Sequence, residues 1–115
     1  MARQKSGALI VLRESLFQQQ KKQIVELATR QRLPSIAGYG EYVGAGGLMS
    51  YGNNIGENFR RAATYVDKIL KGANPGDLPV EQPTTFDLFI NRKTAKALGL
   101  TIPYSLQISA TKIIE

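Results

Sequence analysis

Short apolar runs alternate with helical stripes along this chain, and that order constrains its fold more than any other property of the sequence. ALIVL, residues 8–12, is continuous and partly β-branched, the pattern of a strand buried on both faces. Ser15 stands where a helix cap is expected, ahead of a helix beginning near Leu16, with Gln18 at capping-box spacing. Phe17, Gln20, Ile24, Leu27, Ala28 and Gln31 trace the inner stripe of that helix, while Lys21, Lys22 and Glu26 face water. Pro34 ends it, and LPSIA (residues 33–37) offers a second strand. Residues 38–47 read as a glycine-interrupted loop with a single helical turn around residues 41–45. LMSY (residues 48–51) is a third strand. A glycine- and asparagine-rich break then leads into the strongest helix, in which Phe59, Ala62, Ala63, Val66, Ile69 and Leu70 recur at three- and four-residue steps until Gly72.

The stretch DLPVEQPTTFDLFINRKTAKALGLTIP, residues 77–103, carries the same logic to the end of the chain. Pro79 and Pro83 fix their own φ and disfavour helix at Leu78 and Gln82, so residues 78–83 form a stiff connector. Phe86, Leu88 and Ile90 alternate with Asp87, Phe89 and Asn91, which is a strand period. Residues 94–98 are helix formers, and Gly99 sits where a left-handed cap belongs. The predicted order is β-α-β-loop-β-α-linker-β-α-α, the alternation of a parallel sheet flanked by helices. Phe17, Phe59, Phe86 and Phe89 are expected in the core.

Composition removes several functions. The chain has no cysteine and no histidine, which excludes thiolate chemistry and takes away the commonest metal ligand and general base. No metal site, no cofactor and no catalysis are expected. The net charge of +6 is spread over pairs such as Lys21-Lys22, Arg60-Arg61 and Arg92-Lys93 rather than gathered in a run, so nucleic acid is not the expected partner. Gly38-Tyr39-Gly40 begins a GxGxxG pattern but lacks its third glycine, and no glycine loop runs into Lys-Ser/Thr, so nucleotide binding is not expected. The longest apolar run is far too short to cross a bilayer. The basic start at residues 1–5 precedes an apolar stretch too short for a secretory leader, so the chain as written is expected in the cytoplasm.

In open α/β sheets, ligands bind beyond the carboxyl ends of the strands. Here those ends carry Arg13, Glu14 and Ser15, then Tyr39 and Glu41, then Tyr51, Asn53 and Asn54. Together they offer a cation, two carboxylates, two rings and two amides, a set suited to a small zwitterion. The structural alternative is plain: turns favour Gly, Asn and Glu anyway, and tyrosines commonly pack with the hydroxyl at the surface. Glu57 reads as a first-turn residue favoured by the helix dipole, and Arg60-Arg61 as a solvated face.

INRKTAKALGLTIP and YVDKILKGANPGDLPVEQP, with GGLMSYG and more weakly ALIVL, resemble the C-terminal end of the tryptophan/tyrosine-type substrate-binding proteins of bacterial ABC transporters. The resemblance covers most of the chain and implies a truncated, three-layer parallel-sheet lobe of the type I periplasmic-binding-protein fold. On that basis residues 1–77 are a portion of a ligand-binding lobe and residues 78–83 a hinge-like connector. Residues 84–115 would then pack on a missing lobe or on a partner chain, or fold onto their own sheet. The resemblance implies a solute receptor of an importer, with a small solute as ligand and an ABC permease as partner through the full-length parent, and with a periplasmic or lipid-anchored location for the family. Relatives that bind aromatic amino acids carry Thr-Asp-Asn where this chain has Arg13-Glu14-Ser15, so Glu14 would replace the acidic group in an altered pocket. A homo-oligomer formed by segment exchange is a further expectation. The alternative reading is a small non-enzymatic interaction or assembly module without a ligand.

Overall fold

A computed structural model describes residues 5–115; apart from Lys5, the basic start lies outside them. Five strands form one sheet in the order β1-β2-β3-β4-β5: β1 Leu9–Val11, β2 Ser35–Ala37, β3 Met49–Asn53, β4 Phe86–Asn91 and β5 Lys112–Ile114. The β1–β2, β2–β3 and β4–β5 pairs are parallel, with Ile10 opposite Ile36, Ile36 opposite Met49, and Ile90 opposite Ile113. Between the strands lie α1 Ser15–Gln19, α2 Lys21–Arg30, α3 Glu41–Gly44, α4 Ile55–Leu70, α5 Arg92–Ala97 and α6 Tyr104–Ser109. The α/β expectation holds. The closing strand β5 was not foreseen, because three residues after a helix give too little pattern to read.

The described residues fall into two compact units, residues 5–52 with 87–115, and residues 53–86. In the first unit, Val11, Val25, Ala37, Tyr39 and Tyr42 form the core, with Leu9, Ile24 and Ala45 packed against it. Tyr42 is fully buried and its hydroxyl donates to Ser35 Oγ at 2.7 Å. Residues 86–91 take a place in the chain's own sheet: Asn91 N–H donates to Leu48 O at 2.8 Å, and Thr111 N–H to Leu88 O at 2.8 Å. Asn91 caps α5 through Thr94 N–H at 3.1 Å, and Thr94 Oγ1 donates to Gly46 O at 2.8 Å. The expected cap at Gly99 is present, with φ +72° and the Leu100 N–H reaching back to Ala95 O.

Three sequence expectations fail for identifiable reasons. The first strand is not buried on both faces: it is the edge of the sheet, so Val11 is buried while Ile10 and Leu12 are 72% and 69% exposed. The first helix is not capped by Ser15. Glu14 is the extended residue before it, no side chain caps it, and the segment breaks at Gln20 into α1 and α2. Ala28 of the expected stripe is buried and Ile24 packs against the core, but Val25 of α2 enters the core as well, whereas Leu27 of the same helix and Phe17 of α1 do not. Of the four phenylalanines expected inside, Phe17, Phe59 and Phe86 are exposed and only Phe89 is half-buried.

The second unit is built on α4. Asn54 is its cap, accepting from Glu57 N–H at 3.0 Å, and Gly72 ends it at φ +105°. A 3-10 turn at Pro75–Asp77, held by Asn74, reverses the chain. The connector, residues 78–83, then runs back along the helix. Tyr65 donates to Pro79 O at 2.5 Å, and the Arg61 guanidinium grips the Glu81 carboxylate through Nε at 2.9 Å and Nη2 at 2.5 and 2.6 Å.

Candidate functional site

The carboxyl ends of the first three strands converge within the first unit. Gly38 N–H donates to Val11 O at 3.3 Å, which draws the loop after β2 onto the end of β1. A Cβ at Gly38 would stand 3.5 Å from the Arg13 Cβ, so the two loops are in van der Waals contact. Gly52, near the end of β3, lies so close to the Gly38 carbonyl that any Cβ there would overlap it. Arg13, Gly38 and Gly52 thus form a continuous backbone cluster at one end of the sheet.

Around this cluster stand Arg13, Glu14, Ser15, Glu41 and Tyr51, all exposed. Glu14 precedes α1 in an extended conformation, Ser15 opens that helix, and Glu41 opens α3. Tyr51 is 56% exposed. The arrangement offers one guanidinium, two carboxylates, a hydroxyl and a phenol ring on a surface fixed by glycine contacts. Such a set can pair with both charges of a zwitterion and cover an apolar side chain.

The remaining members of the predicted set do other work. Tyr39 is 3% exposed, its hydroxyl donates to Phe17 O at 3.1 Å, and its ring meets Tyr42 edge-on with centroids 6.0 Å apart. Burial, with the neighbouring Tyr42 and Glu41, pushes its phenol pKa up. Tyr39 is a core residue and not a ligand-stacking ring; the apolar positions of β2 alternate, and Tyr39 continues the inward phase of Ser35 and Ala37. Asn53 ends β3 and Asn54 caps α4, both within the second unit.

Two features escaped the sequence reading. The Phe89 ring of β4 lies directly over Gly40, bringing an aromatic to the loop after β2. The hint was its register, a phenylalanine on the same side of a strand as Asp87 and Asn91. The second is a pair of open cavities of about 540 and 580 Å³ in the second unit, sharing Asn58, Arg61, Glu81, Gln82 and Pro83 in their walls. They are clefts between α4 and the connector, and the Arg61–Glu81 pair that crosses them is already mutually satisfied.

Among the described residues, no helix is long and apolar enough to cross a membrane. Residues 1–114 match the family described as ABC transporter substrate binding protein. No curated protein matches the chain significantly. Among solved structures, a conserved domain protein from Vibrio cholerae O1 biovar El Tor is similar at 29% identity and a TM-score of 0.88, over 95% of this chain and 37% of its own. An ABC domain from Streptococcus pneumoniae, solved in complex with L-Trp, is similar at 28% identity and 0.87, over 96% of this chain and 38% of its own. The ligand-free, open structure of a substrate-binding protein with adhesive properties from Clostridium difficile matches at 25% identity and 0.68, over 93% and 36%. The chain therefore spans well under half the length of the solved proteins it matches.

Proposed function

Because the chain belongs to the ABC transporter substrate-binding protein family, we propose that its strand-end cluster forms one wall of a solute cleft and that the solute is an amino acid taken up by an importer. The observation that carries this reading is the convergence of the β1, β2 and β3 ends at Arg13, Gly38 and Gly52. It gathers opposite charges and the exposed Tyr51 ring on a surface that the backbone holds rigid. The L-Trp complex of the streptococcal relative supports the same ligand class. In this reading Glu14 and Glu41 attract the ammonium group, Arg13 and Ser15 the carboxylate, and Tyr51 covers the side chain. The protein acts by binding and presenting its solute to a permease, without catalysis. One wall supplies part of the contacts and leaves the solute open to water, so the isolated chain binds weakly.

The test is calorimetric titration of the chain with L-tryptophan and a panel of other amino acids. Weak, saturable binding that is lost in Tyr51→Ala and Glu14→Gln and kept in Tyr39→Phe is the expected result. Binding that survives both substitutions moves the site elsewhere, and no saturable heat with any amino acid removes the ligand class.

A further inference from the structure

β4 is a hydrogen-bonded neighbour of β3 in the sheet. Asn91 N–H, at the close of β4, donates to Leu48 O just before β3. Asn54 N–H, just after β3, donates to Thr85 O just before β4. Only antiparallel strands join in this way, and a single register satisfies both bonds. That register sets Asp87 directly opposite Gly52, and residues opposite one another in such a pair share a face of the sheet. On that face Gly52 lies against the Gly38 carbonyl, and the ring of Phe89, two residues beyond Asp87, rests over Gly40. Asp87 therefore stands in one row with Arg13, Gly38 and Gly52 across this end of the sheet, all four within the first unit. Strand spacings of ~4.8 Å put about 14 Å between the Arg13 and Asp87 backbones. The ground between them is two glycines, a floor of bare main chain.

We propose that Asp87 is a further ligand residue of this wall. It takes the α-ammonium group of the solute while Arg13, from the other side of the Gly38–Gly52 floor, takes the α-carboxylate. The inference rests on reading the strand ends as a solute wall, and it adds the group that fixes which way the solute lies. A guanidinium and a carboxylate set apart over main chain match the two charged ends of a free α-amino acid. The glycines between them let such a molecule settle against the backbone. Asp87 suits the ammonium better than Glu14 or Glu41. It is half-buried where they are exposed, so solvent and salt screen it less. Its side chain is one methylene shorter, and a strand carries it, whereas Glu14 and Glu41 stand at the starts of short helices. Glu14 also adjoins Arg13 in the chain, so its charge lies on the carboxylate's side of the floor. Glu14 and Glu41 add attraction, and Asp87 adds position. An esterified or N-acylated amino acid, which lacks one of the two charges, falls outside the ligand class.

The experiment is a calorimetric cycle on the whole chain with three probes: L-tryptophan, indole-3-propionate, which lacks the ammonium, and tryptamine, which lacks the carboxylate. Should another amino acid of the panel bind better, its own deaminated and decarboxylated analogues replace these. Asp87→Asn is expected to weaken the amino acid and the amine about five- to tenfold, the weight of one hydrogen bond between charged groups that water still reaches. It is expected to leave the deaminated acid unchanged. Asp87→Glu, which keeps the charge, is expected to retain most of the affinity. Arg13→Gln is expected to act in the opposite sense, weakening the two carboxylates and sparing the amine. A role confined to shaping the wall would weaken all three probes alike, and that result overturns the proposal, as does indifference of all three to Asp87→Asn. Should Asp87→Asn fail to fold, the unaltered chain decides by NMR. The Asp87 carboxyl-carbon resonance is expected to move with the amino acid and the amine and to stay still with the deaminated acid; a resonance that ignores all three overturns the assignment. Saturable amino-acid binding that is indifferent to Asp87 sinks this inference alone, whereas no binding of any amino acid removes the wall itself and the inference with it.

Discussion

Gly52 rests directly against the carbonyl oxygen of Gly38, with no room for a side chain between the ends of β3 and β2. The obstacle to a Cβ at Gly52 is backbone, which cannot rotate away. At Gly40 the obstacle is the edge of the Phe89 ring, which can. Gly52→Ala is therefore expected to destabilise the chain by about 1–3 kcal/mol and Gly40→Ala by clearly less. Denaturant unfolding of both variants checks the order. If the strand ends form the solute wall, Gly52→Ala also weakens binding, since it pushes the loop after β2, which leads to Glu41, away from the end of β3 that carries Tyr51.

Tyr39, Tyr42 and Tyr51 divide by role. Tyr42 donates to the buried Ser35 hydroxyl, so Tyr42→Phe leaves that oxygen without its partner at a cost of about 1–3 kcal/mol. Tyr39→Phe loses a part-buried bond to the Phe17 carbonyl and costs about 0.5–1.5 kcal/mol. Tyr51→Ala is expected to change stability little and solute affinity most. Paired unfolding and titration measurements on the three variants separate core from site.

How much of this was legible in the sequence depended on how far each residue's surroundings lay along the chain. Gly99 announced its left-handed cap, and residues 86–91 their strand, because both signals are local. The ends of β1, β2 and β3 were legible because strand ends follow from alternation. The side of the sheet that stays open at Ile10 was not, since an apolar run looks alike whether its strand is central or at the edge. Tyr39 was misread because only its depth distinguishes a core tyrosine from a stacking one. Phe59 was misread for the opposite reason: its helical period reports a face to be buried without saying against what.

Asn54 links the end of β3 to α4 by capping, so its substitution tests the second unit alone. Asn54→Ala removes the acceptor for Glu57 N–H and is expected to cost about 1 kcal/mol of helix stability. Asn54→Ser, which keeps an acceptor, is expected to retain most of it. Hydrogen exchange at Glu57 and Asn58 reports the loss directly.

The grip of Arg61 and Tyr65 on the connector makes the second unit sensitive to pH. The Arg61 guanidinium, with smaller help from the Tyr65 hydroxyl and Lys68, holds the Glu81 carboxyl below the usual glutamate range. A carboxylate whose pKa is lower folded than unfolded contributes stability that is fully present above the ordinary glutamate value. That contribution disappears as pH falls through the lowered one. The connector is therefore expected to stay clasped at neutral pH and to loosen only in acid. The pair is exposed, so salt screens it and its weight on global stability is small; the effect is local. Amide exchange at Val80 and Gln82 is expected to rise as pH falls through the Glu81 transition, once corrected for intrinsic rates, and Arg61→Gln to raise it already at neutral pH. In Arg61→Gln the Glu81 carboxyl is expected to titrate near its ordinary value, by side-chain NMR. In Glu81→Gln the Tyr65 phenol, now raised by partial burial and by Glu81, is expected to move back toward its own. Exchange at Val80 that ignores both Arg61→Gln and acid would show that Tyr65 and the two prolines hold the connector unaided.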